Sequence, residues 1–307
     1  MQTLTRYLPL YGKWTDENGG IVYTGVEAES NKALLHDGLA LFGHELEDGE
    51  IEADISLSRT NHAESAMIVF RANGQERYYM AGVGHGSAYT LLEGGGERPS
   101  TKLVGIGSSA NIEPGRAYKI KVVLEGQKVD VFVDSIRVIS YPSLPRQTGT
   151  SVGLLCSKYT HKAVFSNYRV SSARPKAFVA MQFSEPYNEV YRDAVEPLVR
   201  EIGFEPLRLD DVHSPGIIIN DIINNLSESS IVLAEISEKN ANVYYELGLA
   251  HALGKPTLLM AVKGTSLPFD VGPHRCIFYD NTIAGRGKLQ ESLKRGLMSL
   301  LGRSIDS

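Results

Sequence analysis

IVLAEISEKNANVYYELGLAHALGKP, residues 231–256, is the stretch that decides the fold of the C-terminal half. Its apolar run over 231–236 predicts a buried strand, and after a polar turn residues 243–253 have the period of a helix that ends at Gly254. One acidic residue, Glu246, lies in the first turns of this predicted helix. In α/β proteins the residues that follow a parallel strand face the ligand. The stretch therefore predicts a parallel sheet with a carboxylate near its carboxyl edge.

The sequence around this stretch repeats the alternation of strands and helices. Further strands are predicted over 176–183, 206–209, 256–262 and 276–279. Further helices are predicted over 187–202, 217–226 and 289–301. Five strands in this order predict a flavodoxin-like, doubly wound parallel sheet with helices on both faces. The loops after Phe183, Leu209, Ile236 and Val262 would then meet at one edge of the sheet.

The N-terminal half has the two-residue period of β-strands. Residues 50–57 alternate polar and apolar side chains, as a half-buried strand does. Further short strands are predicted over 65–71, 77–81, 118–124, 128–133, 137–141, 153–155 and 163–170. Many short strands separated by turn residues predict an all-β jelly-roll sandwich. The period changes at SSARP, so we predict a sandwich over 1–171, a linker over 172–175 and an α/β domain over 176–307.

Composition argues against several classes of function. The formal net charge of -5 gives no general attraction to nucleic acid or to an anionic membrane. No apolar run approaches the roughly 20 residues that cross a bilayer, and the N-terminus lacks the features of a signal peptide, which predicts a cytoplasmic protein. The two cysteines, Cys156 and Cys276, have no metal-binding spacing, so no metal is expected.

The predicted loops gather polar and aromatic side chains suited to a small-molecule pocket. The substrate-binding candidates are Gln182, Phe183, Ser184, Asp210, Asp211, Ser237, Asn242 and Tyr245. Asp210 and Asp211 either bind ribose hydroxyls or are solvated in a loop, and His213 is a candidate general acid for a leaving base. Tyr245 and its neighbour Tyr244 can stack on a base, although one of them is expected in the core.

Two readings of Glu246 follow from its position. Either Asn242 or Asn240 can cap the helix that begins near Val243. With Asn242 as the cap, Glu246 lies close to the positive end of the helix dipole, which favours its ionised form. On position alone, a role in complementing the dipole or pairing with Lys239 explains Glu246 at least as well as catalysis does.

The C-terminal half also resembles a known group of families. FVAMQF, ISEKNANVYYELGLAHALGKP and PFDVGPHRCIFYD make residues 175–300 similar to the TIR-like and nucleoside 2-deoxyribosyltransferase-like proteins of bacteria. In those families the glutamate of the matching YELG turn is the catalytic residue of an N-glycosidase or base-exchange reaction, which implies Glu246 here. Two residues depart from the family pattern, because Glu235 replaces a common aspartate and Ala241 a common proline.

The resemblance implies an enzyme that cleaves the N-glycosidic bond of NAD or a nucleotide, with NAD as substrate and no cofactor. Glu246 would act on the anomeric carbon, where the transition state resembles an oxocarbenium ion. It further implies a bacterial defence or signalling effector that is active as a homo-oligomer. Two alternatives stay open: a nucleoside 2-deoxyribosyltransferase or nucleoside hydrolase, and a non-catalytic domain that senses a nucleotide.

Residues 5–170 resemble the concanavalin-like jelly-roll modules, including the laminin-G-like and 3-keto-disaccharide-hydrolase-like groups. The resemblance rests on the order of the segments GKW, EIEADI, IVFRA, YKIKVVLEGQKVDVFVDS, GLL and AVFSNYRV. Sandwiches of this type host lectins, hydrolases and spacers, so the resemblance predicts fold rather than activity. We expect a sensing, binding or oligomerisation module whose partner is a protein or a glycan.

Overall fold

The computed structural model describes residues 2–4, 6–25, 37–59, 64–96, 100–144, 149–157, 161–209, 218–269, 271 and 275–301. The chain divides into two compact units, one of residues 1–124 and 128–173 and the other of residues 125–127 and 174–307. Each unit contains its own buried apolar clusters and is described by itself.

The described part of the N-terminal unit is built from antiparallel strands. They are β1 (Gln2–Thr3), β2 (Tyr7–Tyr11), β3 (Trp14–Glu17), β4 (Gly20–Tyr23), β5 (Gly38–Glu45), β6 (Gly49–Leu57), β7 (Ser65–Asn73), β8 (Arg77–Gly84), β9 (Tyr89–Gly94), β10 (Thr101–Ile106), β11 (Ala117–Glu125), β12 (Lys128–Val133), β13 (Ile136–Tyr141), β14 (Ser151–Ser157) and β15 (Ala163–Ser172). One sheet has the order β13-β12-β11-β6-β15-β4-β3, with β1 paired to β15, and the other has the order β10-β9-β8-β7-β14-β5-β2.

Side chains from the two sheets fill one shared core, which makes this unit a β-sandwich. β6 contributes Ile51, Ala53 and Ile55 from every second position, as its sequence alternation predicts. Ile68 and Phe70 of β7 enter the same core from the other sheet. The predicted sandwich is therefore confirmed at the level of architecture, and each strand predicted from the sequence is present.

The C-terminal unit has a parallel sheet. Its strands are β16 (Lys176–Ala180), β17 (Glu205–Leu207), β18 (Ser229–Glu235), β19 (Thr257–Val262) and β20 (Cys276–Tyr279). Their spatial order is β17-β16-β18-β19-β20, and every described pairing between them is parallel. The predicted parallel sheet is confirmed.

Helices cover both faces of this sheet. They are α1 (Tyr187–Val190), α2 (Glu196–Glu201), α3 (Ile218–Glu228), α4 (Ala241–Ala252) and α5 (Ile283–Leu300). Leu233 of β18 packs with Leu198 of α2 and Leu293 of α5, whereas its neighbour Val232 packs with Leu247 of α4 on the opposite face. Because both faces are covered, β18 is buried along nearly its whole length, and its run over 231–234 is apolar at every position rather than alternating.

The helix between β16 and β17 contains a distortion that the sequence period does not predict. α1 and α2 are joined by a π-helical turn over Tyr191–Val195, so the predicted helix over 187–202 is continuous but not uniformly α-helical. Gly203 follows α2 with a φ of +92°, the left-handed conformation that commonly ends a helix. Within the described ranges, every helix is too short or too polar to span a bilayer.

Candidate functional site

The site begins where α4 starts, at the carboxyl edge of the parallel sheet. Asn240 is the N-cap of α4: its backbone is extended, and its Oδ1 accepts hydrogen bonds from the backbone N–H groups of Asn242 (2.9 Å) and Val243 (3.3 Å). Of the two caps that the sequence left open, the structure has Asn240, and Asn242 already lies inside the first turn that Asn240 closes. Asn242 is exposed and joins this contact only through its backbone.

This shift of the helix start changes the argument about Glu246. α4 begins at Ala241, so Glu246 is its sixth residue and lies in the second turn. The helix dipole acts mainly on charges within the first turn. The helix dipole therefore gives no argument for a role of Glu246, and its half-buried position on α4 is the feature that matters.

Replacing the cap provides a matched pair of variants. We expect Asn240→Ala to lower the free energy of unfolding of the α/β unit by about 1 kcal/mol, because the Asn242 and Val243 N–H groups lose their acceptor. Asn242→Ala is the control and should change stability by less than about 0.5 kcal/mol. Urea unfolding followed by circular dichroism at 222 nm measures both, and equal losses in the two variants would contradict the assignment of the cap.

A hydrogen-bonded polar cluster joins the loop after β16 to the start of α4. Gln182 Nε2 donates to Ser184 Oγ at 2.7 Å, and Asn240 Nδ2 donates to Gln182 Oε1 at 3.2 Å. We call Gln182, Ser184 and Asn240 the edge cluster. The structure thus brings together two of the predicted binding residues, Gln182 and Ser184, and adds Asn240 as the residue that links them to α4.

Exposed aromatic rings lie on the two segments that the edge cluster connects. Phe183, between Gln182 and Ser184, is 37% exposed, and Tyr245, one residue before Glu246, is 48% exposed. Tyr244 instead packs against the core beneath α4. Phe183 and Tyr245 are therefore two exposed rings on the segments that the edge cluster connects.

A second polar network lies at the end of β18 and uses Ser237 in an unpredicted way. Ser237 Oγ donates a short hydrogen bond to Glu235 Oε1, and the Ser237 backbone N–H reaches both carboxyl oxygens at 3.3 Å. Val262 N–H at the end of β19 donates to Ser237 Oγ at 2.6 Å, and Tyr279 Oη at the end of β20 donates to Glu235 Oε1 at 3.2 Å. Ser237 therefore joins the ends of β18 and β19, and Glu235 joins the end of β18 to that of β20.

Glu235 is the buried ionisable group of this network, being only 2% exposed. Burial is the largest cause that raises the pKa of its carboxyl group, and the hydrogen bonds from Ser237 and Tyr279 oppose the shift. Glu235 in turn affects its neighbours. Burial followed by the charge of Glu235 raises the pKa of the Cys276 thiol to about 11, and the same two causes head those that raise the pKa of Tyr187 to about 12.

Arg208, one residue beyond β17, was not predicted. Its Nη2 donates to the Gln182 carbonyl oxygen at 2.6 Å and to Asn188 Oδ1 at 2.8 Å. Its guanidinium carbon lies 4.0 Å from the ring centroid of Phe183 and 4.8 Å from that of Tyr191. The sequence contains no signal for this role, because Arg208 lies within the predicted strand over 206–209 and its partners come from residues 17 to 26 positions upstream.

The loop after β17 contains three further candidates. Asp210, Asp211 and His213 lie outside the described residues, so their predicted roles stay predictions. Among the residues that the structure describes, no group of three or more His, Cys, Asp or Glu side chains is arranged to hold a metal ion.

Solved structures resemble the β-sandwich of the N-terminal half. No family model matches the sequence, and no curated protein matches it. The carbohydrate-binding module CBM66 from Bacillus subtilis is 19% identical, with a TM-score of 0.44 over 55% of this chain and 96% of that chain. Porphyranase B from Zobellia galactanivorans is 12% identical, with a TM-score of 0.37 over 53% of this chain and 84% of that chain.

A protein of unknown function with a galectin-like fold, also from Bacillus subtilis, is 12% identical, with a TM-score of 0.37 over 53% of this chain and 88% of that chain. These similarities concern the β-sandwich of the N-terminal half. What those proteins bind or cleave does not transfer at this level of similarity. The resemblance of residues 175–300 to the TIR-like proteins stays a prediction.

Proposed function

We propose that the α/β unit cleaves the N-glycosidic bond of NAD or a nucleotide, with Glu246 as the catalytic carboxylate. The observation that supports this most is the placement of Glu246, half-buried on the helix whose cap, Asn240, belongs to the edge cluster. We infer a flavodoxin-like sheet from the strand order, in which the first strand lies between the second and the third. In such sheets the ligand lies outside the carboxyl ends of the strands.

The chemistry requires little beyond a carboxylate and a bound base. As the bond from the anomeric carbon to the base nitrogen breaks, its electron pair leaves with the base, and positive charge develops on the sugar. The carboxylate of Glu246 would stabilise that charge or bond to the anomeric carbon. Water then adds its hydroxyl to the carbon and releases a proton. The exposed rings of Phe183 and Tyr245 would stack on the base.

We assign the β-sandwich a sensing or oligomerisation role, with a protein or glycan as its ligand and assembly as the event that activates the α/β unit. This assignment rests on the resemblances given above. It predicts that specific activity rises with protein concentration, because a higher concentration favours the assembled form.

Incubation of the full chain with NAD, with nicotinamide release followed by chromatography, tests the proposed function. We expect turnover, with a specific activity that increases over a hundredfold range of protein concentration. A parallel incubation with deoxynucleosides separates the reactions: free base from deoxynucleosides but not from NAD would select a deoxyribosyltransferase or nucleoside hydrolase. Tight binding of nucleotide without turnover at any concentration would overturn the enzyme proposal in favour of a sensing domain.

A further inference from the structure

The hydrogen bonds of the edge cluster run in one direction, and the cap of α4 sets that direction. Asn240 Oδ1 faces two backbone N–H groups, to which only an acceptor can bond. The other end of the same amide, Nδ2, is therefore turned away from α4, and it donates to Gln182 Oε1. Gln182 Nε2 consequently faces Ser184 and donates to its Oγ.

Ser184 ends this chain of bonds as an acceptor, so its own hydroxyl proton is directed elsewhere. Within the ranges that the structure describes, Ser184 Oγ has Gln182 as its hydrogen-bond partner and no other. Gln182 Nε2 and Asn240 Nδ2 each carry a second N–H as well. All three side chains are half-buried, which leaves them accessible to a ligand. The edge cluster therefore offers mainly hydrogen-bond donors, with the Ser184 hydroxyl at the end of the chain.

We propose that Ser184 donates a hydrogen bond to a carbonyl oxygen on the base of the substrate, and that Asn240 and Gln182 hold Ser184 in this role. The inference rests on the proposed function. It narrows the substrate class to bases that present an acceptor, such as the carboxamide oxygen of nicotinamide. A base that presents an amino group at that point would place a donor against a donor, which a polar site rejects. Ser184 is thus a specificity-determining residue, and Asn240 and Gln182 are positioning residues.

The same hydrogen bond would help the base to leave. As the bond from the anomeric carbon to the ring nitrogen breaks, its electron pair moves onto the base. The nicotinamide ring, which is positively charged in NAD, becomes neutral, and its carboxamide oxygen becomes a stronger acceptor. A donor held at that oxygen therefore stabilises the departing base more than the bound substrate.

Equilibrium binding of NAD and two of its analogues to the full chain tests this without requiring turnover. The 3-acetylpyridine analogue keeps the carbonyl oxygen, whereas the 3-aminopyridine analogue has a donor in its place. Titration calorimetry with the Glu246→Gln chain, in which chromatography verifies that the ligand stays intact, measures each affinity. We expect NAD and the acetylpyridine analogue to bind within about threefold of each other, and the aminopyridine analogue to bind roughly three- to tenfold more weakly.

Adding Asn240→Asp to this chain is the sharpest test, because it keeps the cap of α4 and reverses the bonds beyond it. A carboxylate oxygen still accepts from the Asn242 and Val243 N–H groups, but a carboxylate has no proton to donate to Gln182. The Gln182 amide would turn its Nε2 toward the carboxylate, and Ser184 would then donate to Gln182 Oε1 instead of to the ligand. We expect the preference for NAD over the aminopyridine analogue to fall to about one or below.

Asn242→Asp is the matched control, since it adds the same charge two residues away, on an exposed side chain outside the chain of bonds. It should leave the preference unchanged. Ser184→Ala should remove the preference, whereas Ser184→Thr, which keeps a hydroxyl group, should retain it. Equal affinity for NAD and the aminopyridine analogue before any change to the edge cluster overturns the proposal. An unchanged preference in Ser184→Ala, or an equal change in Asn240→Asp and Asn242→Asp, also overturns it.

The outcomes for Ser184 and for the proposed function can be told apart. Base release from NAD by the wild-type protein, without a preference between the analogues, overturns only the role of Ser184. A preference that depends on Ser184 and Asn240, without any base release, supports the donor site and removes the enzyme proposal. Failure of all three dinucleotides to bind overturns the role of Ser184, while base release from deoxynucleosides would still support an N-glycosidase.

Discussion

Replacing Glu246 with glutamine is expected to lower the rate of base release from NAD by about 10³-fold or more. The variant keeps the shape of the side chain but removes the negative charge that stabilises the positively charged sugar in the transition state. The loss should fall on kcat rather than on KM, since an interaction made only in the transition state is removed. Nicotinamide release at saturating and at limiting NAD measures both constants.

Glu201→Gln is the matched control for this substitution. Glu201 ends α2 and forms an exposed ion pair with Lys294 at 2.8 Å, so its loss removes one carboxylate without touching the edge cluster. We expect its activity to stay within about twofold of the wild-type value, as surface changes rarely have larger effects. Full activity in Glu246→Gln would rule out its catalytic role. An increase in KM with an unchanged kcat would instead make Glu246 a binding residue.

Replacing Glu235 with alanine is expected to lower the free energy of unfolding of the α/β unit by about 2–4 kcal/mol. The Tyr279 hydroxyl and the Ser237 hydroxyl would lose a buried acceptor, and the ends of β18 and β20 would lose the bond that joins them. Glu238→Ala is the control, because Glu238 is exposed and accepts a hydrogen bond from Tyr187. Its loss should cost less than about 1 kcal/mol.

The two units can be followed separately in the same experiment. The single tryptophan of the chain, Trp14, is buried in the sandwich against Tyr23 and Phe165. All α-helices of the described residues belong to the α/β unit, so circular dichroism at 222 nm reports mainly on that unit. We expect Glu235→Ala to move the urea midpoint of the 222 nm signal and to leave the tryptophan transition in place. Movement of the tryptophan transition alone would contradict the prediction.

The pH dependence of Glu235→Gln provides a second test of the same carboxyl group. Burial raises the folded-state pKa of Glu235 above the ordinary value of 4.5, so the folded protein holds the proton more tightly than the unfolded chain. The contribution of this tighter proton binding to the free energy of unfolding is fully present below pH 4.5, and it is lost as the pH rises through the folded-state pKa of Glu235. The difference in stability between wild-type and Glu235→Gln should therefore decrease from pH 4.5 upwards. A constant difference would sink this assignment.

Much of the fold follows from local sequence patterns. The alternation of polar and apolar residues in β6 predicts a strand that is buried on one face. The continuous apolar run in β18 predicts a strand that is buried on both faces. Strands β5 and β9 were not predicted from the sequence. In β9 a short stretch that is buried on both faces shows no alternation of polar and apolar residues. In β5 the glycines Gly38 and Gly43 interrupt the strand pattern. The π-helical turn has no period of its own in the sequence.

The polar contacts at the sheet edge follow from the sequence less directly than the fold does, for a physical reason. Local patterns place Gln182, Ser184 and Glu246 at one edge, since each follows or starts a predicted element. The interactions of Glu235 with Tyr279, and of Arg208 with Phe183, join residues 44 and 25 positions apart. Such pairs depend on strand order and side-chain direction, which the sequence pattern does not contain. The two candidate caps, Asn240 and Asn242, lie two positions apart in the chain, and sequence patterns do not locate the start of a helix more precisely than that.

Because of the π-helical turn at Tyr191–Val195, the number of residues in the helix between β16 and β17 carries structural information in addition to their identity. An α-helix advances by about 100° per residue. A π-helical turn closes over one residue more than an α-helical turn, so loss of one residue between Val190 and Glu196, with a return to a regular α-helix, would leave α1 and α2 in nearly the same relative rotation. Asn188 would then still face Arg208. Among relatives of this protein, a one-residue gap in this helix would therefore report the loss of the π-helical turn rather than a rearranged helix.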